Sequence, residues 1–476
     1  MERKSVYETP LNSRYASKEM QELFSPDHRY GLWRRLWVAL AEAEMELGLH
    51  ITQEQVDQLK AHLDDIDYQR VSQLEARTRH DVMAHVLAYG EQCPQAAGII
   101  HLGATSCYVT DNADAIILRQ ALTLIRAKVV EVLRRLKDFA LQYKDLPTLG
   151  LTHLQPAQLV TVGKRATLWM QDLVMDLADI DHVMSTIRLL GSKGTTGTQA
   201  SFLDLFGGDG ALCDRCEALI AQKMGMDKVY PVSGQTYPRK LDSRILAALS
   251  GVAQSAYKFG QDMRLLQSFH ELEEPFGKDQ IGSSAMAYKR NPMRSERICS
   301  LARHVMALES DGVMTACTQW FERTLDDSAN RRLSLPEAFL ALDAVLELYA
   351  NVTAGIVVYP KMIQKHVMEN LPFMATENIL MEGVKGGGDR QKLHEIIRVK
   401  SHEATLRMRG EGLDNDLLDR LAQEPGFPLD KARLDSLLDP KLYTGRSAQQ
   451  VEQFIRQEVD PCLTGERLAQ MGEISV

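Results

Sequence analysis

Apolar residues recur at helical spacing along this chain over stretches far longer than an average helix of ~11 residues, which predicts a set of long helical rods. The clearest begins after Asp111, a residue type suited to an N-cap, and carries Ile116, Ile117, Leu122, Ile125, Val129, Leu133, Leu136 and Leu141. Others run from about Leu159 to Leu190, from Lys240 to Leu272 and from Leu335 to Val358. At 1.5 Å per residue each is on the order of 45 Å long, and rods of that length bury their faces against one another or against other chains. Turn-rich polar stretches separate them: Gly191 to Gly197, Gly207 to Gly210, Gly277 to Gly282 and Gly386 to Gly388. None has the form of a Walker loop, and no GxGxxG follows a strand. The expected fold is all-α with three helical domains: an N-terminal one over 1–107, a central long-helix bundle over 108–358 and a C-terminal one over 359–476.

Composition agrees with the pattern. Hydrophobic residues are 45% and charged residues 25% of the 476, as in an ordinary globular protein, and aromatics at 6% with abundant straight-chain residues favour helix over strand. A net charge of -9 excludes a general nucleic-acid binder, so an anionic ligand must be met by local basic clusters. No uncharged apolar run reaches the ~18 residues of a membrane span, and the start, with Glu2, Arg3, Lys4 and Glu8, has no apolar leader. A cytoplasmic protein with no membrane partner is expected. Seven cysteines, an odd number in so long a chain, read as reduced thiols, and Cys213 and Cys216 lack the further ligands of a zinc site.

Three groups of polar residues interrupt the helical pattern. Gly282-Ser283-Ser284-Ala285-Met286-Ala287-Tyr288-Lys289-Arg290-Asn291-Pro292 combines small residues, hydroxyls and two cations, a composition that suits an anion nest closed by Asn291-Pro292 before a helix. Arg79-His80-Asp81, Thr105-Ser106 and Thr152-His153 are polar groups beside apolar helix starts. His80 and His85 lie about 140° apart round a helix, so they do not chelate one metal from one face; imidazole suits proton delivery to a leaving nitrogen. In Arg323-Thr324-Leu325-Asp326-Asp327-Ser328-Ala329-Asn330-Arg331-Arg332, arginine forks and a hydroxyl suit a phosphate, unless Asp326 and Asp327 pair with the arginines on a solvated face.

Together these segments resemble the adenylosuccinate lyase family, its animal-type branch in particular, within the aspartase/fumarase superfamily. The resemblance runs nearly end to end through RHDVMAH, IIHLGATSCYVTDN, PTLGLTHLQPAQLVTVGKR, KGTTGTQASF, SGQTYPRK, QIGSSAMAYKRNPMRSER, QWFERTLDDSANRR and LPFMATEN. GSSxMxxKxNP marks the superfamily and the others narrow it. Ala287 stands where the family generally has proline, and alanine does not restrict the loop as proline does. The resemblance implies a homotetramer whose active sites are each assembled from three chains, a β-elimination that releases fumarate from a nucleotide bearing an N-succinyl group, and no metal or organic cofactor. It implies Ser283 as the base and His153 as the acid, with His80 a further candidate for the chemistry. Implied substrate contacts are Arg14, Tyr15, Arg79, His80, Asp81, Thr105, Ser106, Gln235, Arg297, Arg323, Ser328 and Arg332, joined from the motifs themselves by Thr152, Lys289 and Asn291.

The chemistry is consistent with that assignment. The proton removed is alpha to a carboxylate, so negative charge grows on a group already charged and needs preorganised donors. Serine is a weak base until a neighbour activates it, and Lys289 in the same loop is the candidate. The readings set against this one are an argininosuccinate lyase-like enzyme, whose substrate lacks a phosphate for Arg323, Ser328 and Arg332, and a non-catalytic structural protein that has kept the fold.

Overall fold

The computed structural model describes residues 5–465 and Met471; Glu2, Arg3 and Lys4 lie outside the described residues. Among the described residues the fold is all-α apart from two short antiparallel ribbons, Pro147–Thr152 with Gln155–Thr161 and Leu272–Glu273 with Val357–Val358, and an isolated bridge between Leu189 and Val229. Five helices form the central bundle: Ser106–Gln142, Val162–Thr186, Lys240–Ser268, Met293–Cys317 and Asp327–Ala354. At 25 to 37 residues they span roughly 38 to 55 Å. The Lys240–Ser268 helix lies against three of the other rods, most extensively against Met293–Cys317 and also against Val162–Thr186 and Asp327–Ala354.

Several boundaries differ from the periodicity. The longest helix starts at Ser106, with Thr105 in extended N-cap geometry, so Asp111 lies inside it, buried, and is not its cap. The stretch from Leu159 opens in strand, because Gln155–Thr161 pairs with Pro147–Thr152, and helix begins only at Val162, capped by Thr161 Oγ1, which accepts from Lys164 N. The Met293–Cys317 rod has no counterpart among the predicted ones. Its buried face is Ser295, Ile298, Cys299, Ala302, Val305, Gly312 and Thr315, mostly small residues that weaken the apolar signal but let helices approach closely. A Cβ on Gly312 would stand 2.6 Å from Leu246 Cδ1, and one on Gly260 2.9 Å from Cys299 Sγ.

Buried charge also joins the rods. Lys128, fully buried, donates to Asp343, to Glu347 Oε1 at 2.6 Å and to Ser17 Oγ at 3.2 Å, and Ser17 N donates to Asp343 Oδ2 at 2.7 Å, tying the N-terminal segment to two long helices. The main core takes residues from Leu11 to Val459, so the end of the chain returns to the bundle. A second, smaller core gathers Ala375, Ile379, Leu393, Ile397, Leu417 and Leu434. Cys213 and Cys216, both buried free thiols, stand one turn apart on the Gly210–Lys223 helix. Among the described residues no helix is long and apolar enough to cross a membrane.

Candidate active site

Two short helices create the first wall of the main cavity. Tyr68–Thr78 ends where Arg79 turns left-handed at φ 55°, and His80 at once caps the next helix, Asp81–Gln92, its Nδ1 accepting from Met83 N at 3.3 Å. With Nδ1 used as an acceptor, Nε2, which lies 3.4 Å from Ser106 Oγ, is the ring nitrogen turned toward the cavity side. Two helices meeting with only Arg79 and His80 between them thus aim three polar side chains the same way.

Opposite, three distant segments meet in a buried ion network. Arg239 donates to Asp111 twice, at 2.8 and 3.2 Å, and through Nε to Asp327. Asp327 Oδ1 accepts from Arg323 Nη1 at 2.8 Å. Arg331 donates to Asp242 at 2.6 Å and to Asp114 at 3.2 Å, and the Tyr237 hydroxyl donates to Asp242 at 2.7 Å. Burial opposes ionisation of Asp327, but Arg239 and Arg323 outweigh it and hold its carboxyl below the usual range. Burial pushes the Tyr237 phenol well above its ordinary value and the Cys107 thiol up to about 12, so both keep their protons; Cys107 Sγ lies 3.8 Å from Gln235 Oε1.

Between these walls lies a cavity of about 580 Å³. It brings together Arg79, His80, Asp81, Ser106, Gln235, Arg323, Ser328 and Arg332 from the sequence-derived set, with Thr105 beside Ser106 as the helix N-cap. Its charged lining is six arginines, Arg29, Arg79, Arg239, Arg323, Arg331 and Arg332, against five carboxylates, Glu75, Asp81, Asp111, Asp114 and Asp327. Arg332 donates to Asp81 Oδ2 at 3.0 Å. The sequence reading missed Arg239, Arg331, Asp111, Asp114 and Tyr237. The available signal was the i,i+3 pair Asp111 and Asp114 inside an apolar helix, where carboxylates are buried only with partners.

The remaining predicted residues stand apart from this cavity. Ser283, Lys289 and Asn291 belong to the segment between Leu272–Glu273 and Met293–Cys317, whose ends are clamped: the buried Glu274 carboxylate accepts from Arg294 N and Ser295 N, each at 2.9 Å, and Asn291 Nδ2 donates to Gly282 O at 2.7 Å. The expected nest of N–H groups takes a different form. Gly282 is not left-handed; glycine is required because a Cβ would lie 2.3 Å from Lys289 O. Ala285 N and Met286 N donate to Ser283 Oγ itself, at 3.4 and 3.2 Å. Among the described residues no hydrogen bond joins the Lys289 ammonium to Ser283, and Lys289 is exposed.

His153 stands at the tip of the Pro147–Thr161 ribbon. The Thr152↔Gln155 pair closes a two-residue turn in which His153 and Leu154 both have positive φ, 54° and 56°, a geometry usually left to Asn and Gly. Such backbone costs roughly 1–2 kcal/mol per residue, and here it lifts an exposed imidazole clear of the body. Thr152 lines a different, more apolar cavity with Leu154, Arg165 and Phe269. Arg14, Tyr15 and Arg297 form a third group, both guanidinium carbons lying within 6 Å of the Tyr15 ring centre, at 5.9 and 5.8 Å.

A family model described as Lyase matches residues 18–307, and a second, described as Adenylosuccinate lyase C-terminus, matches residues 372–454. The chain is 55% identical over 460 residues to an adenylosuccinate lyase of Saccharomyces cerevisiae, covering 96% of this chain and 95% of the relative. It is 54% identical to one of Schizosaccharomyces pombe, covering 97% of each. In fold it is similar to a solved 3-carboxy-cis,cis-muconate lactonizing enzyme from Pseudomonas putida, with TM-score 0.81 and 23% identity over 95% of this chain and 99% of that one. A fumarate lyase from Mesorhizobium sp. BNC1 has TM-score 0.78 at 22% identity, covering 97% of this chain and 100% of that one.

Proposed function

The chain belongs to the adenylosuccinate lyase family, and from that premise we propose that it eliminates fumarate from adenylosuccinate, giving AMP, and from succinylaminoimidazole carboxamide ribotide, giving AICAR. The observation that carries the proposal is one cavity in which two arginines and a hydroxyl suited to a phosphate, Arg323, Arg332 and Ser328, share the lining with His80, Ser106 and Gln235.

In the proposed mechanism the base is Ser283. The two N–H groups donating to its Oγ favour the anionic form of that oxygen. Ser283 takes a proton from the succinyl β-carbon, the electron pair left there forms the carbon–carbon double bond as the bond to nitrogen breaks, and His153 protonates the departing nitrogen. Lys289 supplies positive charge to the carboxylate on which charge builds up, and His80 donates toward the substrate through Nε2. Arg14, Tyr15, Arg297, Thr152 and Asn291 complete the substrate contacts.

We place these groups in one site by assembly. Ser283 and His153 are carried on projecting segments away from the cavity, and the long helices expose Leu168, Met175, Val313, Met314 and Leu333, which supports a homotetramer with three chains contributing to each site. The same reading divides the chain near 107 and 358 and puts the enzyme in the cytoplasm. The test is incubation with adenylosuccinate and, separately, argininosuccinate: fumarate is expected from the first, and its appearance from the second alone would refute the assignment.

A further inference from the structure

The cavity lining holds six arginines against five carboxylates, so bulk charge gives a phosphate little preference for it and the aim of individual guanidinium groups must decide. We infer that Asp327 is a positioning residue for Arg323, kept in place by Arg239; this rests on the proposal that Arg323 binds the substrate phosphate. The two oxygens of Asp327 are divided: Oδ2 accepts from Arg239 Nε and Oδ1 from Arg323 Nη1. Arg239 is in turn fixed by its two bonds to Asp111. Asp327 and Arg239 are both nearly inaccessible, whereas the Arg323 side chain keeps 23% of its surface.

The division has two consequences. Asp327 uses one nitrogen of Arg323, leaving the other N–H groups of the fork for a phosphate, and it removes the rotamer freedom that an unanchored arginine would lose on binding. Because Arg239 shares the carboxylate, Arg323 does not face its whole negative charge, so an incoming anion is not in full competition with it. Asp327 is the first residue of the Asp327–Ala354 helix, and Ser328 follows directly, so the anchor for the arginine and the hydroxyl for the phosphate sit on one rigid helix start.

The test is a double-mutant cycle read by titration calorimetry with AMP and with adenosine, alongside steady-state kinetics on adenylosuccinate. Asp327→Asn is expected to weaken AMP at least ~10-fold, the scale of a lost charge-assisted contact, with adenosine unchanged and kcat within about threefold. In an Arg323→Gln background the same change should cost AMP nothing further. Equal losses for AMP and adenosine, or losses from the two substitutions that add, would overturn the inference. Should Arg323→Gln alone leave AMP affinity intact, the phosphate lies elsewhere and the underlying proposal fails first. Arg239→Lys, which keeps the charge but not the fork, guards against misfolding of Asp327→Asn; it should weaken AMP by a smaller factor, again only while Arg323 is present, and an unchanged affinity would count against the inference.

Discussion

The cavity and the Gly277–Pro292 segment are built on opposite principles. In the cavity wall almost every charge already has a partner inside the same chain: Asp111 and Asp327 hold Arg239, Asp242 and Asp114 hold Arg331, Asp81 holds Arg332. In the loop, Ser284 to Arg290 are exposed and only the ends are clamped; His153 likewise stands exposed at a ribbon tip. Recognition groups need a fixed geometry that burial and pairing supply, whereas groups that we propose to reach into another chain's cavity must be free to meet it. On the proposed reading, the phosphate contacts and the two proton-transfer residues Ser283 and His153 sit on separate parts of one chain.

The largest effects that probe this contrast are on turnover. Ser283→Ala and His153→Ala should each lower kcat by at least ~100-fold, the scale of a general base or acid, while AMP binding persists. If the two residues of one site come from different chains, unfolding the inactive proteins together and reassembling them restores activity, with about a quarter of sites intact in symmetric tetramers. Fumarate release no higher than from each variant reassembled alone, with the tetramer confirmed by sizing, would break the contrast. Gly282→Ala comes next. Its Cβ would collide with backbone rather than a yielding side chain, so a loop shift costing ~1–3 kcal/mol should reduce kcat roughly tenfold or more without weakening AMP. A Gly282→Ala enzyme with normal kcat would show that the close approach to Lys289 O is dispensable.

On the cavity side, Arg332→Leu should weaken AMP by about tenfold, ~1.4 kcal/mol by calorimetry. The effect stays at the lower end for a charged contact because Arg332 must give up Asp81 to bind a phosphate, and unchanged affinity would locate the phosphate away from it. The smallest effect is expected at Glu44, a buried carboxyl with neither oxygen hydrogen-bonded, which burial pushes up to about 8. The folded chain holds this proton where the unfolded chain has released it, so its contribution to stability is full below about pH 4.5, declines as pH rises and is lost above about 8. Glu44→Gln should therefore shrink the fall in melting temperature between pH 5 and pH 9 by a few degrees and leave turnover alone. An undiminished fall would mean that Glu44 is already ionised when buried.

The long rods and the polar motifs between them were legible in the sequence because helical periodicity, capping and glycine clusters are properties of neighbouring residues. Arg79-His80-Asp81 is of this kind, since the left-handed Arg79 and the His80 cap are both local events. The Met293–Cys317 rod was not, because a face in which Ser295, Ala302 and Gly312 dilute the apolar Ile298 and Val305 has its value only against a second helix close enough to need it. Asp111 makes the same point from the opposite direction. In sequence it is a sound N-cap; in the fold it lies inside a helix that begins at Ser106, and its carboxylate meets Arg239 and Tyr237 N, more than 120 positions away. Residue identity by itself determined which side chains are ionisable and which strongly periodic segments form helix. Only the tertiary structure decided which arginines are neutralised in the wall and which face the cavity, because pairing a buried charge depends on how distant helices pack and not on spacing along the chain.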